Sequence, residues 1–207
     1  MAEAFTTFRS ALIPLPAENV DTDQIVPARF LKMTDKEGLA DALFRDWRYD
    51  ADGGQHEPLF VMDRLSMAGR RILLAGDNFG TGSSREHAAW ALAAWGIRVI
   101  LATSFADIFR GNALKNGLLP IVVEEERQRQ LFELVGAEPD VELTVDLEAQ
   151  LIHLPGDEDL PFEVDPFAKQ MLLAGTDEIG WLLARMPAID AWQADHPARV
   201  DTRVGAD

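Results

Sequence analysis

Three short apolar runs constrain the fold of this chain more than any other feature. Arg71 to Ala75, Val99 to Leu101 and Leu118 to Val123 each read as a strand. Helical spacing separates them. Ala88, Ala91, Leu92 and Trp95 recur on one helix face, and Gly96 is placed to end that helix. Ser104 to Asn112 reads as a second, shorter helix with Ser104 as its cap and Asp107 at the third helical position. Strand, helix, strand, helix and strand within roughly fifty residues require crossover connections, and hence parallel pairing. Beyond Arg71 the runs are apolar throughout, as strands covered on both faces must be.

The flanks carry other patterns. Phe8 to Leu15 reads as a strand, followed by a polar turn, Asn19 to Pro27, that returns to extended chain because Val26 precedes a proline. Leu39, Leu43 and Trp47 have helical spacing, and Asp52 to Gln55 is a loop. Beyond Glu124 a helix is predicted over Glu125 to Val135. Antiparallel strands follow at Val141 to Val145, Gln150 to Leu154 and Phe162 to Val164, then helices over Pro166 to Ala174 and Asp177 to Met186. The tail after Pro187 is polar and is expected to be loosely held. The expectation is one α/β domain with a mixed, partly parallel sheet: a core over about 8–165, a helical C-terminal extension over about 166–192 and a tail over 193–207.

Composition narrows the function. Among 207 residues there is no cysteine, so this chain offers neither a thiol nucleophile nor thiolates for a zinc or iron–sulfur centre. The four histidines are scattered and form no His-Glu-x-x-His pair. A net charge of −16 repels phosphate backbones, which argues against nucleic-acid binding. No apolar run is long enough to span a membrane, and Met1 to Phe5 shows no secretory signal, so a cytoplasmic location is expected.

The chemistry concentrates in Gly76 to Ala88, GDNFGTGSSREHA, directly after the first central strand. Ser83 and Glu86 have capping-box spacing, in which the glycines would serve only to turn the chain. The same geometry also aims free amides and the positive end of a helix dipole at one spot suited to a carboxylate or phosphate. Nucleotide fingerprints are absent: Gly80 to Arg85 reads G-x-G-x-x-R, and no G-x-x-x-x-G-K-[ST] occurs. Arg85 in a first turn opposes the dipole, and its fork can grip a carboxylate through two parallel hydrogen bonds. A Ser83–His87 hydrolase is disfavoured because G-x-S-x-G is missing.

Asn78-Phe79-Gly80-Thr81-Gly82-Ser83-Ser84-Arg85-Glu86-His87-Ala88 resembles the signature of the swivelling domain of the aconitase superfamily. Asp21-Thr22-Asp23-Gln24-Ile25-Val26-Pro27, Leu43 to Arg48, Ser104 to Asn112 and Val145 to Gln150 are similar to segments of the bacterial 3-isopropylmalate dehydratase small-subunit family. The likeness runs from about Phe8 to Trp192. It implies an aconitase-like swivelling domain, layered β/β/α, with C-terminal helices. It also implies a hydro-lyase that interconverts 2- and 3-isopropylmalate in leucine biosynthesis. The partner is then a large subunit carrying a 4Fe-4S cluster, with no cofactor bound by this chain, and the substrate is a small dicarboxylate.

Residue by residue, the resemblance makes Ser83 the base that takes a proton from carbon. Ser84 and Arg85 lie where the family binds substrate carboxylate and steadies the serine. Asp23 matches an active-site aspartate before the loop that selects the substrate side chain. That loop is expected over Arg29 through Asp35 to Leu39, with Phe30, Leu31, Met33 and Leu39 accepting a branched alkyl group. His87 and Asn112 are expected to be structural, and Asp77 and Asn78 are unassigned. Thr81 stands where many relatives have cysteine, and a threonine keeps the backbone amide. The resemblance also admits a methylmalate/citraconate or homoaconitate hydro-lyase, or a non-catalytic anion-binding domain of the same fold.

Overall fold

The computed structural model describes residues 3–33 and 38–196. Its centre is one mixed sheet of seven strands: β1 (Phe8–Leu15), β2 (Ile72–Ala75), β3 (Val99–Ala102), β4 (Leu119–Val122), β5 (Glu142–Asp146), β6 (Leu151–Leu154) and β7 (Glu158–Pro161). The order across the sheet is β4-β3-β2-β1-β5-β6-β7. Strands β1 to β4 pair in parallel, with Leu12 opposite Ile72, Ile72 opposite Val99 and Val99 opposite Leu119. Strand β5 adds to β1 antiparallel, and β6 and β7 continue as a meander. The parallel pairing of the central strands and the antiparallel character of the later ones agree with expectation. The last strand does not: it is Glu158–Pro161, upstream of Phe162 to Val164. Three residues of turn, Pro155 to Asp157, suffice to bring Glu158 opposite Leu154, so the hairpin closes before Phe162.

The period-two alternation of the strands explains how a fully apolar run is satisfied. Ile13, Leu15, Leu73, Ala75, Ile100 and Ala102 point to one core. Leu12, Ile72, Leu74, Val99, Leu101, Leu119 and Ile121 point to the other. The first core is covered by α1 (Thr22–Ile25), α2 (Leu39–Ala42), α3 (Arg45–Arg48), α4 (Glu86–Trp95) and α5 (Asp107–Lys115). The second is covered by α6 (Glu125–Ala137) and α7 (Pro166–Ala174). Two further helices, α8 (Glu178–Leu183) and α9 (Met186–Asp195), complete the C-terminal extension.

Helix α4 ends as its sequence indicates. Gly96 adopts φ 106° and its amide bonds back to Ala93 and Leu92. Three other segments depart from expectation. The chain after Pro187, expected to be loose, continues as helix α9 because Pro187 sits in its first turn, where no amide is needed. The residues from 197 onward lie outside the described residues. The single helix suggested by Leu39, Leu43 and Trp47 is two short ones, broken at Phe44 with φ 47°. Leu43 and Phe44 are fully buried, and Phe44 stacks on Trp47 at 5.2 Å. Burying both adjacent side chains requires the chain to turn, since neighbours on a continuous helix face different ways. The third departure, the Asn19–Pro27 turn, is a helix start and belongs to the site. Among the described residues, no helix is long and apolar enough to cross a membrane.

Candidate functional site

The carboxyl ends of β1, β2 and β3 deliver three loops to one edge of the parallel half-sheet, the position where open α/β sheets bind ligands. The loop after β1 runs parallel to the loop after β2. The Asn19 amide bonds to the Asp77 carbonyl at 2.8 Å, the Gly80 amide to the Val20 carbonyl at 2.7 Å and the Thr22 amide to the Thr81 carbonyl at 2.9 Å. The loop after β3 joins from the other side, with the Phe79 amide on the Ser104 carbonyl and the Ala106 amide on the Phe79 carbonyl, both at 3.1 Å. The glycine-rich turn is therefore held as a short extra strand between two neighbours.

Glycine is required there by close approach. A side chain at Gly76 would run into the Ala17 backbone, and one at Gly80, which has φ 79°, would overlap the Phe109 ring. Phe79 is fully buried and packs edge-to-face on Phe109 at 5.3 Å. Thr81 contributes its backbone: its amide bonds to Val20 and its carbonyl receives Thr22.

The capping box is in a different place from the one expected. Asp21 and Gln24 form it, with the Gln24 amide on Asp21 Oδ1 and the Asp21 amide on Gln24 Oε1, both at 2.8 Å. The segment expected as a turn is thus the start of α1. Ser83 caps nothing. Helix α4 begins at Glu86 with Arg85 at its N-cap and no side-chain cap. Glu86 instead accepts from Asn116 Nδ2 at 2.8 Å. The reason lies in Gly82, at φ 91°, which turns the chain so that Ser83 faces outward before the helix begins. Ser104 likewise does not cap α5, whose N-cap is Ala106. Its hydroxyl donates to Asp77 Oδ1 at 2.7 Å and receives the Asn78 amide at 3.0 Å.

Of the four expected site residues, three are consecutive and the fourth is brought to them. Arg85 Nη1 and Asp23 Oδ1 form a direct ion pair. The Arg85 side chain is 23% exposed and that of Asp23 is 50% exposed. Ser83 and Ser84 are exposed, and among the described residues neither hydroxyl has a protein partner. Only one edge of the guanidinium is engaged by Asp23, so the remaining donors are available to a ligand. The site thus presents two hydroxyls, a steadied guanidinium and the positive end of α4, an arrangement suited to a carboxylate beside a polarised alcohol.

Asp77, unassigned from sequence, ties the β2 loop to the β3 loop. Thr103 and Ser104 both donate to its Oδ1 at 2.7 Å. The Ser104 hydroxyl, then that of Thr103, with help from the Asn78 amide, hold the Asp77 carboxyl below the ordinary carboxylate range. Asn78, at φ 52°, donates from its side chain to Asn19 Oδ1 at 2.9 Å. His87 packs on Trp90 at 4.7 Å. In the expected specificity segment, Leu39 is a fully buried core residue, contrary to expectation. Phe30 and Met33 pack partly against the same core, and Asp35 lies outside the described residues.

Comparison with known proteins gives the family and agrees with the fold. The family model described as the aconitase C-terminal domain matches residues 2–126, and one described as LeuD_N matches 129–166. A 3-isopropylmalate dehydratase small subunit from Herpetosiphon aurantiacus is 50% identical over 99% of this chain and 100% of its own length. One from Roseiflexus sp. (strain RS-1) is 51% identical over 92% of this chain and 93% of its own. One from Anaeromyxobacter dehalogenans is 52% identical over 92% and 97%. Among solved structures, the 3-isopropylmalate dehydratase (leuD) of Methanocaldococcus jannaschii is similar at a TM-score of 0.65 and 26% identity, over 90% of this chain and 99% of that one.

Proposed function

The chain belongs to the 3-isopropylmalate dehydratase small-subunit family of the aconitase superfamily, and from that membership we propose the reaction and the part each site residue takes in it. It is the small subunit of a hydro-lyase that interconverts 2- and 3-isopropylmalate by dehydration and rehydration, acting with a large subunit. The partner carries the 4Fe-4S cluster, since this chain has no cysteine thiolate to ligate one. When bound, the cluster acts as a Lewis acid on the departing hydroxyl. We place the assembly in the cytoplasm.

The residues of this chain do the rest. Arg85 grips a substrate carboxylate with the edge of its guanidinium that Asp23 leaves open, and Ser84 adds donors to the same group. Ser83 takes the proton from the carbon next to the one losing hydroxide, leaving a carbon–carbon double bond, the protonated serine and the displaced hydroxide, together the elements of water. Readdition with the opposite orientation, hydroxide to the carbon that lost the proton and the Ser83 proton to the carbon that lost hydroxide, gives the isomer and restores the base. A serine hydroxyl is a poor base in water. The amides at the start of α4 and the Arg85 charge favour its alkoxide once the partner closes the site to solvent.

One observation carries this reading. Asp23, Ser83, Ser84 and Arg85 come together at one strand-end edge, with both hydroxyls unoccupied by caps. The alternative substrates and a non-catalytic anion-binding role are not favoured, since the relatives compared agree on 3-isopropylmalate dehydratase. The test is reconstitution with the cluster-bearing large subunit. The mixture should isomerise 2-isopropylmalate and the separate chain should not. Ser83→Ala should lower kcat at least about a thousandfold while leaving assembly intact. A rate near wild type would remove Ser83 as the base.

A further inference from the structure

The hydroxyl that holds the proposed base in place comes from a residue with no assigned role. Thr22 opens α1 and is 2% exposed. Its Oγ1 donates to the carbonyl of Ser83 at 3.0 Å, across a sequence separation of 61. Its amide is already committed to the Thr81 carbonyl at 2.9 Å, and the Asp21–Gln24 capping box fixes the helix turn that carries it. Gly82 carries the turn that brings the two together: its φ of 91° is strained for any other residue, and an added Cβ would crowd Asp21 Cβ at 3.3 Å.

The Ser83 carbonyl accepts a second bond, from the Arg85 amide at 2.7 Å. The two donors fill its two lone pairs and make Ser84 the centre of a three-residue γ-turn. The Ser83–Ser84 peptide is trans, so its N–H points opposite to its carbonyl. The carbonyl faces the buried Thr22, and the Ser84 N–H therefore faces the exposed side on which the two serines stand. Among the described residues that N–H has no acceptor in the protein.

We propose that Thr22 is a positioning residue for the isomerisation: by pinning the Ser83 carbonyl it sets the direction of the Ser83 side chain and aims the Ser84 N–H at the substrate carboxylate. The role rests on the reading of Ser83 as the base. A valine at this position keeps the branched shape and removes only the hydroxyl. It leaves the Ser83 carbonyl with one donor and frees the peptide to rotate. A serine keeps the donor.

Initial rates on 2-isopropylmalate with the reconstituted two-subunit enzyme test this, with melting temperature and assembled fraction measured alongside. Thr22→Val should lower kcat per assembled complex about 10- to 100-fold. Thr22→Ser should stay close to wild type. A purely structural Thr22 would reduce melting temperature or assembly and leave kcat per complex unmoved, which overturns the proposal. So does a Thr22→Ser variant as slow as Thr22→Val. Should Thr22→Val fail to assemble, Thr22→Ser decides alone: wild-type kcat supports the role and a tenfold loss refutes it. A fully active Ser83→Ala would overturn the base and this inference together, whereas wild-type Thr22→Val rates beside an inactive Ser83→Ala would overturn this inference alone.

Discussion

Asp23 and Arg85 are 62 positions apart and meet in a direct ion pair at the mouth of the site. The pairing of the β1 and β2 loops sets this meeting, since the Asp21–Thr81 bridge lays side by side the segments that lead into α1, which carries Asp23, and α4, whose N-cap is Arg85. The carboxylate occupies one guanidinium edge and thereby orients the other. The pair does little for stability, because half-exposed ion pairs contribute about 0–1 kcal/mol. Its use is to hold a long, flexible side chain in one pose.

Asp23→Asn should therefore leave the melting temperature nearly unchanged. In the reconstituted enzyme its KM for 2-isopropylmalate should rise about tenfold, because Arg85 then loses the charged partner that orients it. Steady-state kinetics beside thermal melting checks this, and an unaltered KM would deny Asp23 the role.

Arg85→Lys retains the charge and discards the fork. A lysine cannot pair with Asp23 on one edge and a substrate carboxylate on another in fixed geometry. We expect kcat/KM to fall at least about a hundredfold, two charge-assisted bonds being replaced by a mobile point charge. A lysine variant within threefold of wild type would show that charge alone suffices.

Gly80→Ala tests the packing of the turn. The position has φ 79°, and the added methyl would overlap the Phe109 ring, itself 2% exposed and closed in by Phe79 and Phe105. Strain and overpacking act together, and a destabilisation of about 2–4 kcal/mol is expected. Equilibrium urea unfolding measures it. Gly53→Ala is the control: it has a similar φ of 85° but nothing within 4 Å of the added atom, so only the backbone cost remains.

Asp77 supplies a pH signature. Its carboxyl lies below the ordinary range in the folded protein, chiefly through the Ser104 and Thr103 hydroxyls. A group depressed on folding adds stability above its unfolded pKa, about 3.9 for aspartate, and loses it as pH falls through the lower folded value. Asp77→Asn should melt below wild type at pH 7, and the gap should close as pH drops beneath about 4. Melting curves between neutral and acidic pH decide it. A gap independent of pH would show that the charge is not what the two hydroxyls recognise.

The polar groups of the glycine-rich turn show where sequence reading fell short. Ser83–Glu86 and Asp21–Gln24 have the same spacing, and local pattern alone favours a serine capping box at the first. The fold forms the second, because Thr22 and Gly82 decide where α4 starts. Thr22 and Asp77 were legible only as members of motifs. Their partners, the Ser83 carbonyl and the Thr103 and Ser104 hydroxyls, are brought to them by pairing between strands distant in sequence.

Apolar periodicity by itself determined most of the parallel centre: β2 to β4, helices α4 and α5, and the Gly96 stop follow from side chains that can be buried in only one register, whereas β1 was legible as a strand and its parallel place beside β2 was not. The cluster Ser83-Ser84-Arg85 was likewise explicit in the linear order. The tertiary structure alone decided which hydroxyls stay free, which edge of Arg85 is engaged and which buried group holds the base. Hydrogen-bond partners are settled by what lies across the loop, and a chain read one residue at a time carries no record of that neighbour.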